Sequence, residues 1–146
     1  MALRTPQSLD DFDFWVGRWR GTWDGGAAVN EVEKLYDGRV ILERFASEAP
    51  ESFSGMSVSV LDEAAECWKQ TWVDSTGNYL DFVGGAVGEE MQFTRDARVG
   101  GQDILQRMRW AAIESDRFEW FWQRRADGGE WETVWQISYV RAADQP

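Results

Sequence analysis

Histidine is absent from this 146-residue chain, and cysteine occurs once, as Cys67. The first absence excludes a Ser-His-Asp triad, a histidine-ligated haem and a histidine-based zinc site. The second excludes an intramolecular disulfide framework, a CxxC redox pair and a four-cysteine metal site. No apolar run reaches the 18 residues that a membrane-spanning helix needs, so the sequence predicts no membrane partner. The opening residues, Met1-Ala2-Leu3-Arg4-Thr5-Pro6, contain no apolar h-region, so no secretory signal is expected. With one free thiol, this leads to the expectation of a cytoplasmic protein.

Basic residues are also scarce. Fifteen Lys and Arg face 26 Asp and Glu, for a formal net charge of −11. Nearly all of the excess falls in residues 1–94. An acidic body repels phosphate backbones, so nucleic acid is not an expected partner. What the chain has in abundance is tryptophan, ten residues of it, within an aromatic content of 14%.

The hydrophobic period is two almost everywhere after residue 17, and Asp-Gly and Gly-rich turns recur at short spacing. Turn chemistry at 24–26, 37–38, around Pro50, 62–66, 75–78, 88–89, 96–102, 114–116 and 127–129 divides the chain into ten strands. They are expected near 17–24, 28–36, 39–47, 53–61, 67–74, 79–86, 89–95, 103–113, 117–125 and 130–141. One helix is expected over 8–16, with Ser8 as N-cap and Asp10, Asp11 and Asp13 at its positive end. The whole of 1–146 reads as a single domain, with the barrel over 17–141 and a tail over 142–146. Ten short antiparallel strands on tight turns hide their edges best by closing on themselves. The predicted fold is therefore all-β, an up-and-down antiparallel barrel with a short N-terminal helix.

Strand parity sorts the side chains. The heavier aromatic faces carry Trp68, Gln70, Trp72 and Asp74; Ile104, Gln106, Met108 and Trp110; and Phe118, Trp120, Trp122 and Arg124. The last strand contributes Trp131, Thr133, Trp135, Ile137, Tyr139 and Arg141. If these faces are internal, they hold polar groups that a dry core rarely tolerates without partners. A cavity that holds a small apolar or aromatic molecule accommodates them, and so does a filled barrel with polar groups at its mouth.

The predicted ligand-binding residues are Trp68, Gln70, Trp72, Asp74, Trp110, Trp122, Arg124, Trp135 and Tyr139, with Glu43 as a further polar contact. Glu43 shares a strand face with Ile41 and Phe45, and a buried carboxylate there needs an arginine or several hydrogen bonds. Arg124 is the inward candidate partner for Glu43 or Asp74. No catalytic constellation stands out; Glu43 and Asp74 are the only candidate proton-handling groups, as in a cofactor-free isomerase or cyclase. A structural ion pair is the other use for such acids. A third role for the chain is an interaction module or homodimer that uses Phe121 and Val134 on the outer face.

The segment Phe12-Asp13-Phe14-Trp15-Val16-Gly17-Arg18-Trp19-Arg20-Gly21, a short helix leading into Gly-x-Trp on the first strand, resembles the opening of calycin barrels. That superfamily contains the lipocalins and fatty-acid-binding proteins. More narrowly, the chain is similar to a bacterial lipocalin-like family of unknown function. Trp68-x-Gln70-x-Trp72-Val73-Asp74-Ser75 and Gly84-Gly85 resemble its middle section. The resemblance implies structural roles for Gly17 and Trp19, with Arg141 from the last strand stacked on Trp19. It also implies kinship with nitrobindin-like barrels, which hold haem through a histidine. This chain has none, so haem is not carried over, and no cofactor or metal is expected.

Overall fold

Alternation of apolar and polar residues on β-branched and aromatic-rich segments builds ten strands, which the computed structural model describes across residues 2–49 and 51–143. They are β1 (Gly17–Trp23), β2 (Gly26–Leu35), β3 (Val40–Ala49), β4 (Phe53–Asp62) and β5 (Cys67–Asp74). The second half supplies β6 (Tyr79–Val87), β7 (Glu90–Val99), β8 (Gln102–Ala111), β9 (Arg117–Ala126) and β10 (Glu132–Arg141). Each strand pairs antiparallel with its sequence neighbour, and β1 pairs with β10, so the sheet closes into an up-and-down barrel without free edges. The closing register sets Trp19 opposite Arg141 and Gly21 opposite Tyr139.

The expected strands match closely, with β7 running four residues beyond its predicted end. Cross-strand pairs extend it: Arg95 donates to Gln106 Oε1 at 2.6 Å and Arg98 to Asp103 at 2.7 Å. The expected helix over 8–16 is corrected to a single 3-10 turn, Asp13–Trp15. Ser8 does not cap a helix. Its backbone N–H donates to Asp11 Oδ2 and its hydroxyl accepts from the Asp10 N–H, a local arrangement that holds the segment in turns.

That segment is a plug. Phe12 and Trp15 are fully buried among Trp68, Phe93 and Trp110, with ring centroids 4.9 to 5.8 Å apart. Trp19 and Phe118 extend the cluster edge-to-face at 4.7 Å. Indole N–H groups buried this deeply need acceptors. Trp19 donates to the Trp15 carbonyl at 2.8 Å, and Trp68 donates to Asp11 Oδ2 at 3.1 Å. Asp11 therefore joins plug to barrel, and Asp13 does the same through an ion pair with Lys34.

Arg141 closes the seam. Its guanidinium lies 4.2 Å from the Trp19 ring centroid and donates to the carbonyls of Val16, Phe14 and Ser115. Gly17 makes room for it: with φ at +135°, a Cβ there would sit 2.3 Å from Arg141 Nη1. Beyond β10, Ala142 still donates to the Arg18 carbonyl, so the expected tail is tied at its first residue. Residues 144–146 of that tail lie outside the described residues.

One face assignment is corrected. The β9–β10 register slips between Thr133 and Trp135, so Val134 is an extra residue and parity reverses across it. Trp135, Ile137 and Tyr139 point inward as expected. Trp131 and Thr133 instead face outward, where Trp131 lies between the guanidinium groups of Arg107 (3.9 Å) and Arg125 (4.9 Å). Thr133 accepts from Gln123 on that outer surface. No helix among the described residues is long and apolar enough to cross a membrane.

Candidate functional site

The end of the barrel away from the plug is not packed solid. A cavity of about 210 Å³ lies there, between the lower aromatic cluster and the 75–78 turn. Its walls are built by alternation on strands from opposite sides of the barrel. Phe45, Phe53 and Trp72 come from β3, β4 and β5, and Trp120, Trp122 and Trp135 come from β9 and β10. Leu80, Phe82, Met108 and Ile137 complete the apolar lining, and Trp110 separates the cavity from the plug cluster. Trp135 is the hub of the wall, with edge-to-face contacts to Trp23 (5.1 Å), Trp120 (5.6 Å) and Phe45 (6.0 Å).

Four polar residues reach the cavity: Glu43, Asp74, Asn78 and Tyr139. Glu43 is buried on the inner face of β3. Its Oε1 accepts from the Ser57 hydroxyl at 2.7 Å and its Oε2 from Asn30 Nδ2 at 2.9 Å. Burial raises its pKa above the usual carboxylate value; the Ser57 and Asn30 hydrogen bonds oppose this but do not cancel it. Tyr139, stacked on Phe118 at 4.8 Å, is pushed well above the ordinary phenol range by burial and then by the charge of Glu43.

Asp74 behaves in the opposite way. Partial burial disfavours its charge, but hydrogen bonds from Thr76, Trp72 and Asn78 outweigh that and hold its pKa at about 2. Oδ1 accepts from the Thr76 hydroxyl and from the backbone N–H groups of Thr76 and Asn78. Oδ2 accepts from Trp72 Nε1 (2.8 Å) and Asn78 Nδ2 (3.0 Å). Asp74 is thus an ionised turn-builder that also fixes the indole of Trp72. Gly55 permits this placement, because a Cβ there would lie 2.2 Å from the Trp72 ring.

Of the residues expected at the site, the structure brings together Glu43, Trp72, Asp74, Trp110, Trp122, Trp135 and Tyr139 around the cavity. Trp68 and Gln70 share the inner face but lie elsewhere, Trp68 in the plug cluster and Gln70 against the Ser59 hydroxyl at 2.9 Å. Arg124 is displaced furthest from expectation. It is exposed and pairs with Glu132 at 3.3 Å, so it neither lines the cavity nor neutralises Glu43 or Asp74. Phe121, expected as a free outer apolar residue, lies under the Arg109 guanidinium at 5.0 Å; Val134 is exposed.

Sequence reasoning missed Phe45, Phe53, Leu80, Phe82 and Asn78 as lining residues, together with the Asn30 and Ser57 supports of Glu43. Parity finds Asn30 beside Val32 on β2 and Phe45 beside Ile41 on β3, but on β4 it misleads, because Met56, Val58 and Val60 face outward while Ser57 and Ser59 are buried. No protein-family model matches the chain, and no curated protein matches its sequence.

Proposed function

We propose that this protein is a lipocalin-like binding barrel that holds a small, largely apolar or aromatic molecule in its upper cavity. One observation carries the reading: the barrel is packed solid at the plugged end but leaves an aromatic-walled space of about 210 Å³ at the other. Interiors are normally filled to crystal-like density, and large indole groups that leave a hole give up dispersion contacts that smaller or rearranged side chains would recover. A ligand restores those contacts. The free, buried Cys67 agrees with a reducing, cytoplasmic setting.

Titration with neutral aromatic probes such as 1-ethylnaphthalene, followed by tryptophan emission and calorimetry, tests the reading. Saturable binding is expected, and it should be lost when Leu80→Trp fills the space. A probe panel without saturable binding, or binding unaffected by that substitution, overturns it.

A second reading has a specific observation behind it. Glu43 is a carboxyl with a pKa raised by burial beside Tyr139 in an apolar cavity, a setting in which an acid can serve as a proton-transfer group. Asp74 drops out of this role because its oxygens are saturated and it stays ionised. Solvent deuterium exchange at the α-carbon of a bound ketone such as 2-tetralone, slowed to background by Glu43→Gln, would mark this activity. Exchange equal in both proteins removes it.

A further inference from the structure

The charge balance of the cavity selects among apolar ligands. Among the described residues its lining includes two carboxyl groups, Glu43 and Asp74, and neither lysine nor arginine. Two inner-face cations lie outside the lining. Lys34 is paired with Asp13 of the plug, and Arg95 donates through Nη1 to Gln106 and lies 6.0 Å from the Phe82 ring, with its Nε buried and unpaired among the described residues. Arg124 points to Glu132 outside.

Hydrogen-bonding capacity leans the same way around Glu43. The two donors supplied to it, Ser57 Oγ and Asn30 Nδ2, are each committed to one oxygen, and each oxygen retains a further lone pair. Asn30 itself is 1% exposed, and its Oδ1 is buried with no hydrogen-bond partner among the described residues. A buried acceptor left unpaired costs free energy comparable to a hydrogen bond. This polar corner of the barrel has surplus acceptors and a shortage of donors. Tyr139, close enough for the Glu43 charge to act on it, is the only hydroxyl in the cavity lining among the described residues. Trp110 Nε1, an unpaired donor in the wall, is neutral; the unpaired Nε of Arg95 is cationic but belongs to a side chain outside the lining, behind Phe82.

The remaining walls are the π faces and edges of tryptophan and phenylalanine. Such rings attract cations and repel anions placed over their faces, most strongly where water is excluded. We infer that the cavity takes an aromatic or alkyl amine in its protonated form, with the ammonium group on Glu43 and the apolar body between Trp72, Trp122 and Trp135. The inference rests on the cavity-binding reading above and narrows it from apolar molecules to cationic ones. Carboxylates and phosphates of the same size are disfavoured by both acids and by the rings.

Binding of this kind is coupled to protons. The ammonium favours ionised Glu43, whose own burial otherwise favours its protonated form, so below the pKa of Glu43 each amine bound displaces a proton. Asp74 remains ionised throughout and does not contribute. Tyr139 stays neutral over the same range.

Three probes of matched shape test the inference by calorimetry on the full chain: 1-naphthylmethylamine, 1-ethylnaphthalene and 1-naphthylacetate. The amine is expected to bind at least about tenfold more tightly than the neutral isostere, and the carboxylate more weakly than either. Amine affinity should rise with pH and then level off, with proton release measured in buffers of different ionisation enthalpy; the neutral probe should show neither effect. Glu43→Gln should erase the amine preference, so that the amine and 1-ethylnaphthalene bind the variant with affinities within about twofold of each other. If that variant fails to fold, the wild-type pH profile and proton count decide alone. Equal binding of amine and neutral probe, or tightest binding of the carboxylate, overturns the inference and leaves the cavity reading intact. Failure of all three probes to bind rejects both.

Discussion

The guanidinium of Arg141 stacks 4.2 Å from the ring centroid of Trp19, across the seam where the last strand meets the first. Three backbone carbonyls, of Phe14, Val16 and Ser115, accept from the same group. One side chain thus ties the plug, the β8–β9 turn and both closing strands together. Arg141→Ala is expected to cost about 2–3 kcal/mol, from a cation–π contact and charge-assisted hydrogen bonds at a partly exposed site. Arg141→Lys should recover less than half, because an ammonium cannot span three carbonyls and a ring face at once. Urea denaturation measures both; a loss under 0.5 kcal/mol for the alanine variant, on the order of an ordinary surface substitution, would remove Arg141 as the seam's clasp.

Asp11 is predicted to matter more than any other acid of the N-terminal segment. It accepts the Trp68 indole N–H and the Ser8 backbone N–H through one oxygen and faces Arg4 with the other. Asp11→Ala leaves a buried indole donor unpaired, at a cost of about 1–2 kcal/mol. Trp68→Phe removes the same hydrogen bond and also opens space in the plug cluster. A double-mutant cycle between them should therefore show a coupling of about 1 kcal/mol. Strict additivity would mean that the plug is held by packing alone.

These two anchors also show what was legible in the sequence. A Gly-x-Trp opening and a terminal-strand arginine make Gly17, Trp19 and Arg141 legible, and a period of two makes the ten strands legible. The helix over 8–16 was overread: Ser8 followed by three aspartates looks like a capped helix start, yet Asp11 is drawn off by Ser8 and by the distant Trp68. The outward face of Trp131 is not legible, since one extra residue, Val134, reverses parity, and nothing local in Glu132-Thr133-Val134-Trp135 announces a bulge. Arg124 has inward parity, but its position near the strand end lets its exposed side chain pair with Glu132 instead of entering the cavity. Side chains near a barrel mouth obey solvation before they obey alternation.

Glu43 gives a pH signature with a definite sign. Its folded-state pKa lies above the ordinary value of 4.5, so between those two values the folded chain holds a proton that the unfolded chain has lost. Glu43 therefore costs no stability below pH 4.5 and imposes a growing penalty as pH rises through the folded pKa. Glu43→Gln removes that penalty, and rotation of the Asn30 amide lets its unpaired Oδ1 accept from the introduced amide. Melting temperatures of the two proteins should converge near pH 4, and the variant should gain relative to wild type up to pH 8. A constant difference over that range contradicts the burial of an unpaired carboxylate.

Asp74 carries the opposite sign. Its pKa of about 2 lies below the ordinary 3.8, so its contribution is complete above pH 3.8 and fades as pH falls towards 2. Asp74→Asn should cost about 1–2 kcal/mol at neutral pH through the weakened 75–78 turn, and much less at pH 2. Acid unfolding followed by circular dichroism reads the convergence directly.

Gly55→Ala links the turn to the cavity. The added methyl would sit 2.2 Å from Trp72 Cζ2 and 2.3 Å from Cη2, far inside van der Waals contact, so the indole must rotate or β4 must withdraw. Rotation breaks the 2.8 Å hydrogen bond from Trp72 to Asp74, and withdrawal disturbs the Gly55–Asp74 and Gly55–Phe45 pairings on either side. Overpacking of this kind costs about 1–3 kcal/mol. Because Trp72 and Phe45 both line the cavity, probe affinity should fall along with stability, and near-UV circular dichroism should change with it. Gly77→Ala, at a positive-φ turn position where an added Cβ meets nothing within 4 Å, is the matched control. It should cost stability through backbone strain while leaving the near-UV spectrum and probe affinity unchanged. If Gly55→Ala behaves like that control, Trp72 is free to move, and the cavity wall is not the fixed aromatic surface on which the binding reading depends.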